Sequence, residues 1–165
     1  MSSMIRYPCS NPLVQRAAEI SSALRMPTPV IYQARESFHV AEIAYAEIYE
    51  HDDLSLERRI VLSHELATHA PPAWTRWVLA HELAELRLPL SISGFRREFM
   101  ADRLAARFEG YETGIAIFNH LITADGQAAD SLQYYDDDIS THPSLVARII
   151  HLQTAQQRHD SHTLK

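Results

Sequence analysis

Prolines and glycines divide the second half of the sequence into segments of helix length. Pro71 and Pro72 precede a run that stops before Pro89, and Gly94 and Gly110 bracket the next run. Proline is favoured in the first turn of a helix because its missing N–H has no partner there, and glycine is favoured just beyond the end. The apolar spacing inside the segments is also helical. Helices are therefore predicted from after Pro71-Pro72 to about residue 88, and over 95–108 and 113–123, with a polar loop over 124–140 and a last helix from about 143.

The first half of the sequence has a different pattern. Asn11 followed by Pro12 is typical of a helix start, with an N-cap and then a proline. Between residues 30 and 63, short runs of β-branched and aromatic residues predict strands. These runs are 30–32 and 60–62, and the residues around Phe38, Val40, Ile43, Tyr45, Ile48 and Tyr49. The predicted fold class is α+β: one mostly helical domain spanning residues 1–165, with a small N-terminal sheet, a core of about 11–152 and a polar tail, 153–165.

Composition narrows the class of protein. The formal net charge is -6 and no Lys/Arg run is present, so nucleic acid is not an expected partner. Cys9 is the only cysteine, which rules out an intrachain disulfide and fits a reducing compartment. No apolar stretch approaches 18 residues, and the N-terminus lacks the pattern of a signal peptide. The expectation is a soluble cytoplasmic protein with no membrane span.

The helix predicted over 72–88 carries the most specific chemical motif. His81 and Glu85 are four residues apart, so their side chains share one helix face at a spacing that suits two ligands of one metal. Glu82 follows His81, at the position where a metallopeptidase helix has its general base. The usual motif ends in a second histidine, whereas this sequence has Glu85 there.

Two further clusters follow. Glu98 and Asp102 are again four residues apart, so that Glu98 could supply a third ligand and Asp102 could orient a ligating histidine. His142 lies just before the last predicted helix, where its side chain could point into a cleft. Arg148, further along that helix, could pair with a carboxylate.

Together these blocks resemble the CAAX prenyl endopeptidase and HtpX family of gluzincin zinc metallopeptidases. The matching segments are 78–82 (Val-Leu-Ala-His-Glu), 98–102 (Glu-Phe-Met-Ala-Asp) and 140–143 (Ser-Thr-His-Pro) with Arg148-Ile149, in the family's order. The resemblance covers roughly residues 30–152 and implies a zincin-like fold whose sheet packs on the active-site helix. It also implies that His81 and Glu98 are zinc ligands, Glu82 is the base, Asp102 supports a ligand and His142 stabilises the transition state. This chain departs from the family in having Glu85, and in lacking the transmembrane helices of larger members.

The acidic cluster leaves alternatives open. Two like charges 4 Å apart cost about 4 kcal/mol at an effective dielectric of 20, so a metal, a nearby arginine (Arg97 or Arg103) or protonation must offset the repulsion. A metal is the most direct solution. The ligand set His81, Glu85 and Glu98 fits zinc and, because it contains two carboxylates, also manganese or iron.

Two functions are therefore carried forward. The first is a metal-dependent peptide hydrolase acting on a peptide or protein through a metal-activated water. The alternative is an inactive peptidase fold that binds peptides or proteins. A purely structural role for the acidic cluster remains if a buried arginine fills the site.

Other notable residues have simpler interpretations. His64 and Glu65 are interpreted as the end of a strand and a turn, because His69 falls five residues after His64 rather than four. Trp74 and Trp77 are predicted to be core residues. The acidic run 136–138 is interpreted as a solvated loop.

Overall fold

The computed structural model describes residues 4–35, 43–124 and 143–163. It contains helices and a four-stranded sheet, which confirms the α+β class. The chain divides into two compact units, Met1–Arg87 and Leu88–Lys165. We describe each unit by itself.

The first unit contains the sheet. Its strands are β1 (Met4–Arg6), β2 (Val30–Ala34), β3 (Ala44–Glu50) and β4 (Leu56–Leu62), in the order β1-β2-β4-β3. β2 and β4 are parallel, whereas β1 pairs antiparallel with β2 and β3 antiparallel with β4. The strands predicted around residues 30–32, 43–49 and 60–62 are confirmed. β1 was not predicted because three residues are too few to show an alternating pattern, and Phe38 and Val40 lie outside the described residues.

Three helices belong to the first unit: α1 (Pro12–Ala23), α2 (His64–Thr68) and α3 (Pro72–Arg87). α1 begins as predicted, with the Asn11 side chain accepting a hydrogen bond of 2.8 Å from the Leu13 N–H. This bond satisfies one of the N–H groups that a helix start leaves without a partner. The predicted end of α3, at about Leu88, is also confirmed to within a residue.

α3 is the central helix of the first unit. It packs against α1, α2, β3 and β4, so every residue from Trp77 to Ala84 is buried. The buried side chains of the sheet, Ile31, Ile60 and Leu62, are at most 1% exposed. Trp77 is 1% exposed, which confirms the prediction that it is a core residue. The prediction that the sheet packs on this helix is confirmed, because α3 contacts β3 and β4.

The short helix α2 corrects the interpretation of His64 and Glu65 as a strand end and turn. The Ser63 hydroxyl accepts a hydrogen bond from the Leu66 N–H, and the Thr75 hydroxyl of α3 donates to the Leu66 carbonyl. A cap at one end and an anchor to a neighbouring helix stabilise a helix too short to form alone.

The second unit is helical in the part that the structure describes. Its helices are α4 (Gly94–Glu109), α5 (Tyr111–Ala124) and α6 (Leu145–Thr163), and each packs against the other two. Gly110 separates α4 from α5 with φ 91°, a conformation that suits glycine because it has no Cβ. The last helix continues through the predicted polar tail, 153–165, as far as Thr163. The acidic run 136–138 lies outside the described residues.

Candidate metal centre

α3 buries the ionisable side chains of the His-Glu motif. His81 is 7% exposed and Glu82 is 6% exposed, which is unusual for ionisable side chains. The ring of His81 stacks on the ring of Trp77, one turn earlier, with centroids 5.9 Å apart and planes at 18°. This contact with a core residue restricts the orientation of the imidazole.

Glu85 lies one turn after His81 and is partly exposed. It is close to the C-terminal end of α3, which ends at Arg87. The helix dipole places partial negative charge at this end, which disfavours carboxylates and favours cations. The local field at this end of α3 therefore adds to the preference of Glu85 for a positive charge nearby.

α4 contributes the second pair of carboxylates. Glu98 is 4% exposed and Asp102 is fully buried, four residues apart in the N-terminal half of the helix. Two buried carboxylates this close in sequence require positive charge, since each alone is costly to remove from water.

Arg148 of α6 supplies that charge. Its Nε and Nη2 donate to the two carboxylate oxygens of Asp102, at 2.9 and 2.6 Å, and its Nη1 lies 3.2 Å from Glu98 Oε2. Arg148 was expected to pair with one carboxylate, and in the structure it contacts two. Phe118 of α5 lies against the guanidinium, whose central carbon is 4.4 Å from the ring centroid.

The side chains that could hold a metal ion, in the part of the chain that the structure describes, are His81 and Glu85 on α3 and Glu98 on α4. Each offers one ligand atom, and one imidazole with two carboxylates fits a divalent cation. The chemistry of this donor set therefore fits a metal ion. His142 lies outside the described residues.

Sequence reasoning missed Phe118 as part of this region. It lies 30 residues before Arg148, inside an apolar helix, and nothing in its local pattern distinguishes it from other core residues. It also missed the stacking of His151 on Phe99, whose ring centroids are 4.6 Å apart. Burial lowers the pKa of His151, and the neighbouring positive charge of Arg103 lowers it further.

Comparison with known proteins identifies no relative: no family model, curated protein or solved structure matches this chain. Among the described residues, no helix has both the length and the hydropathy to cross a bilayer.

Proposed function

We propose that this chain is a metal-dependent peptide hydrolase. The observation that carries the proposal is that His81, Glu82 and Glu98 are each less than a tenth exposed, at the positions where the motif requires a ligand, a base and a ligand. Removing imidazole and carboxylate groups from water into the protein interior costs free energy, whereas burying apolar side chains at the same positions would not. A bound divalent cation would offset that cost, and metal-dependent hydrolysis would account for the burial of all three side chains. The resemblance in sequence to gluzincin peptidases supports peptides or proteins as the substrate class.

The proposed mechanism assigns a role to each side chain. His81, Glu85 and Glu98 would hold a divalent cation, which would supply Lewis-acid chemistry for the scissile carbonyl and lower the pKa of the attacking water. Glu82 accepts a proton from the attacking water and delivers it to the amide nitrogen that leaves. His142 donates a hydrogen bond to the oxyanion that develops on the carbonyl oxygen. Zinc is the proposed metal, with manganese or iron as substitutes that tolerate two carboxylate ligands.

Metal content tests the ligand set. Protein purified without chelator and incubated with Zn, Mn or Fe is expected to retain about one metal per chain by mass spectrometry, as one three-ligand site requires. Glu98→Ala is expected to lose it. Glu112→Ala, an exposed carboxylate at the start of α5, is the matched control and should bind as the wild type does. A wild type that holds no metal under any of these conditions contradicts the proposal.

The role of Glu82 gives a separate prediction. Glu82→Ala removes the proposed general base, a contribution worth about 10²–10⁴ in rate, while leaving the three proposed ligands in place. Hydrolysis of a mixture of fluorescence-quenched peptides is expected to fall by at least that factor, with metal content and circular dichroism unchanged. Equal cleavage by the variant and the wild type contradicts the mechanism.

A second candidate is an inactive peptidase fold that binds peptides or proteins. Two features favour it: Glu85 stands where the motif has histidine, and Arg148 already balances part of the buried negative charge. Glu85→His discriminates between the candidates. If an inert wild type becomes hydrolytic on this substitution, the binding role is favoured, whereas an active wild type that Glu85→His leaves unchanged or impairs supports the hydrolase.

A further inference from the structure

We infer that Arg148 is the positioning residue for Glu98, and that Asp102 acts on Glu98 through Arg148. This inference rests on the proposed metal site and deepens it, because it names the residues that set the orientation of one proposed ligand. The three side chains form a series, Asp102–Arg148–Glu98, which we call the carboxylate relay. All three belong to the second unit, on α4 and α6.

The geometry of the guanidinium is the first argument. A guanidinium presents its donors as a rigid planar fork, so two parallel bonds to one carboxylate fix its plane and rotation. Arg148 makes this bidentate contact with Asp102, at 2.9 and 2.6 Å. The remaining nitrogen, Nη1, then has a fixed position, which is 3.2 Å from Glu98 Oε2. Asp102 thereby fixes the position of the positive charge that forms an ion pair with this oxygen of Glu98.

The surroundings of Arg148 are the second argument. Its side chain is 12% exposed, and those of Asp102 and Glu98 are 0% and 5% exposed, so water screens the relay weakly. Phe118 lies over the guanidinium and limits its movement out of the plane of the bidentate contact. Contacts with α4 and α5 therefore hold the guanidinium in one place before any ligand binds.

The consequence concerns the second oxygen of Glu98. When one carboxylate oxygen has a fixed ion-pair partner, the orientation of the other is restricted, and a metal that binds it does not have to order the side chain. Partners of this kind change metal affinity by about 10–100-fold in other metal sites. Arg148 keeps its single positive charge on the side of Glu98 that faces α6.

The experiment measures binding of Co²⁺, whose visible absorption reports both affinity and ligand geometry. We expect Arg148→Met to raise the dissociation constant by about 10–100-fold and to alter the absorption spectrum. Arg148→Lys keeps the charge without the planar fork and should give an intermediate value. Arg158→Met, on an exposed position of the same helix, is the matched control and should bind as the wild type does.

A double-mutant cycle tests the order of the relay. Asp102→Asn alone should weaken Co²⁺ binding, but in the Arg148→Met background it should change the dissociation constant by less than about twofold, because its effect passes through Arg148. Circular dichroism and thermal unfolding of the metal-free variants establish that each is folded at the temperature of the titration. If Arg148→Met proves unfolded, Arg148→Gln, which also removes the charge, takes its place in the cycle.

The outcomes separate this inference from the proposed function. Wild-type binding that Arg148→Met leaves unchanged overturns the positioning role and leaves the metal site standing. If the changes that Asp102→Asn and Arg148→Met cause in the Co²⁺ dissociation constant multiply in the double variant, Asp102 acts independently of Arg148. That result overturns the relay. A wild type that binds no Co²⁺ overturns the metal site itself, and the relay with it.

Discussion

At the scale of single residues, His151 couples the stability of the protein to pH. Its pKa in the folded protein is lowered by burial and by Arg103, whereas an unfolded chain has the ordinary value of about 6.5. The unfolded state therefore binds more protons as pH falls below that value, and the folded state loses stability. Replacing His151 by glutamine should reduce this loss.

We expect the free energy of unfolding in urea to fall less between about pH 7.5 and pH 5.5 for His151→Gln than for the wild type. His162→Gln, an exposed histidine on the same helix, should behave as the wild type does. An equal fall for His151→Gln and the wild type would show that this imidazole titrates normally.

The backbone conformation of Leu54 costs free energy in the folded state. It lies in the turn between β3 and β4 with φ 64°, a left-handed conformation that costs a residue with a Cβ roughly 1–2 kcal/mol, and its side chain is 75% exposed. Leu54→Gly removes this strain and loses little burial, so it should raise the free energy of unfolding by about 0.5–1 kcal/mol despite the flexibility of glycine. Leu56→Gly, in the adjoining exposed strand position, should lower it. Destabilisation by both substitutions would contradict the assignment of strain.

At the scale of elements, two serines at helix starts make a matched pair. Ser63 caps α2 through a hydrogen bond from the Leu66 N–H, and it is 3% exposed. Ser93 occupies the same position before α4, but its side chain makes no capping bond. Ser63→Ala should therefore cost about 1–2 kcal/mol, since it leaves a buried N–H without its acceptor, and Ser93→Ala should cost less than about 0.5 kcal/mol. Chemical denaturation of the two variants measures the difference, and equal costs would show that the cap on α2 is not a stabilising contact.

At the scale of the whole molecule, the proposed metal site links stability to metal concentration. A ligand present at 100 times its dissociation constant, and bound only by the folded state, stabilises that state by about 2.7 kcal/mol, or about 5–10 °C for a chain of this size. We expect Zn²⁺ to raise the melting temperature of the wild type and of Glu112→Ala, and a chelator to reverse the effect. Glu98→Ala should not respond, and a response equal to that of the wild type would remove Glu98 from the ligand set.

The ends of several helices, and the residues that share one helix face, can be predicted from local sequence signals. Asn11-Pro12, Pro72 and Gly110 predict where helices begin and end because capping and backbone constraints act within one helical turn. The spacing of His81 and Glu85, and of Glu98 and Asp102, places each pair on one helix face for the same reason. The helix α2 also had a local signal, in Ser63 as a cap. This segment was nevertheless interpreted as a strand end and turn, because the conformation of five residues depends on contacts with neighbouring elements such as α3.

Tertiary structure decided the rest. Arg148 meets Asp102 across 46 residues of sequence, and Phe118 meets Arg148 from a third helix. No periodicity within one helix specifies which side chains of another it will contact, since that depends on how α4, α5 and α6 pack. The burial of Glu82 likewise depends on tertiary packing around α3 and not on its local sequence. The sequence by itself determined the residue types and the helix faces that carry them, because these depend on local backbone geometry. Only the packing of distant elements determined which charges are buried and which side chains balance them.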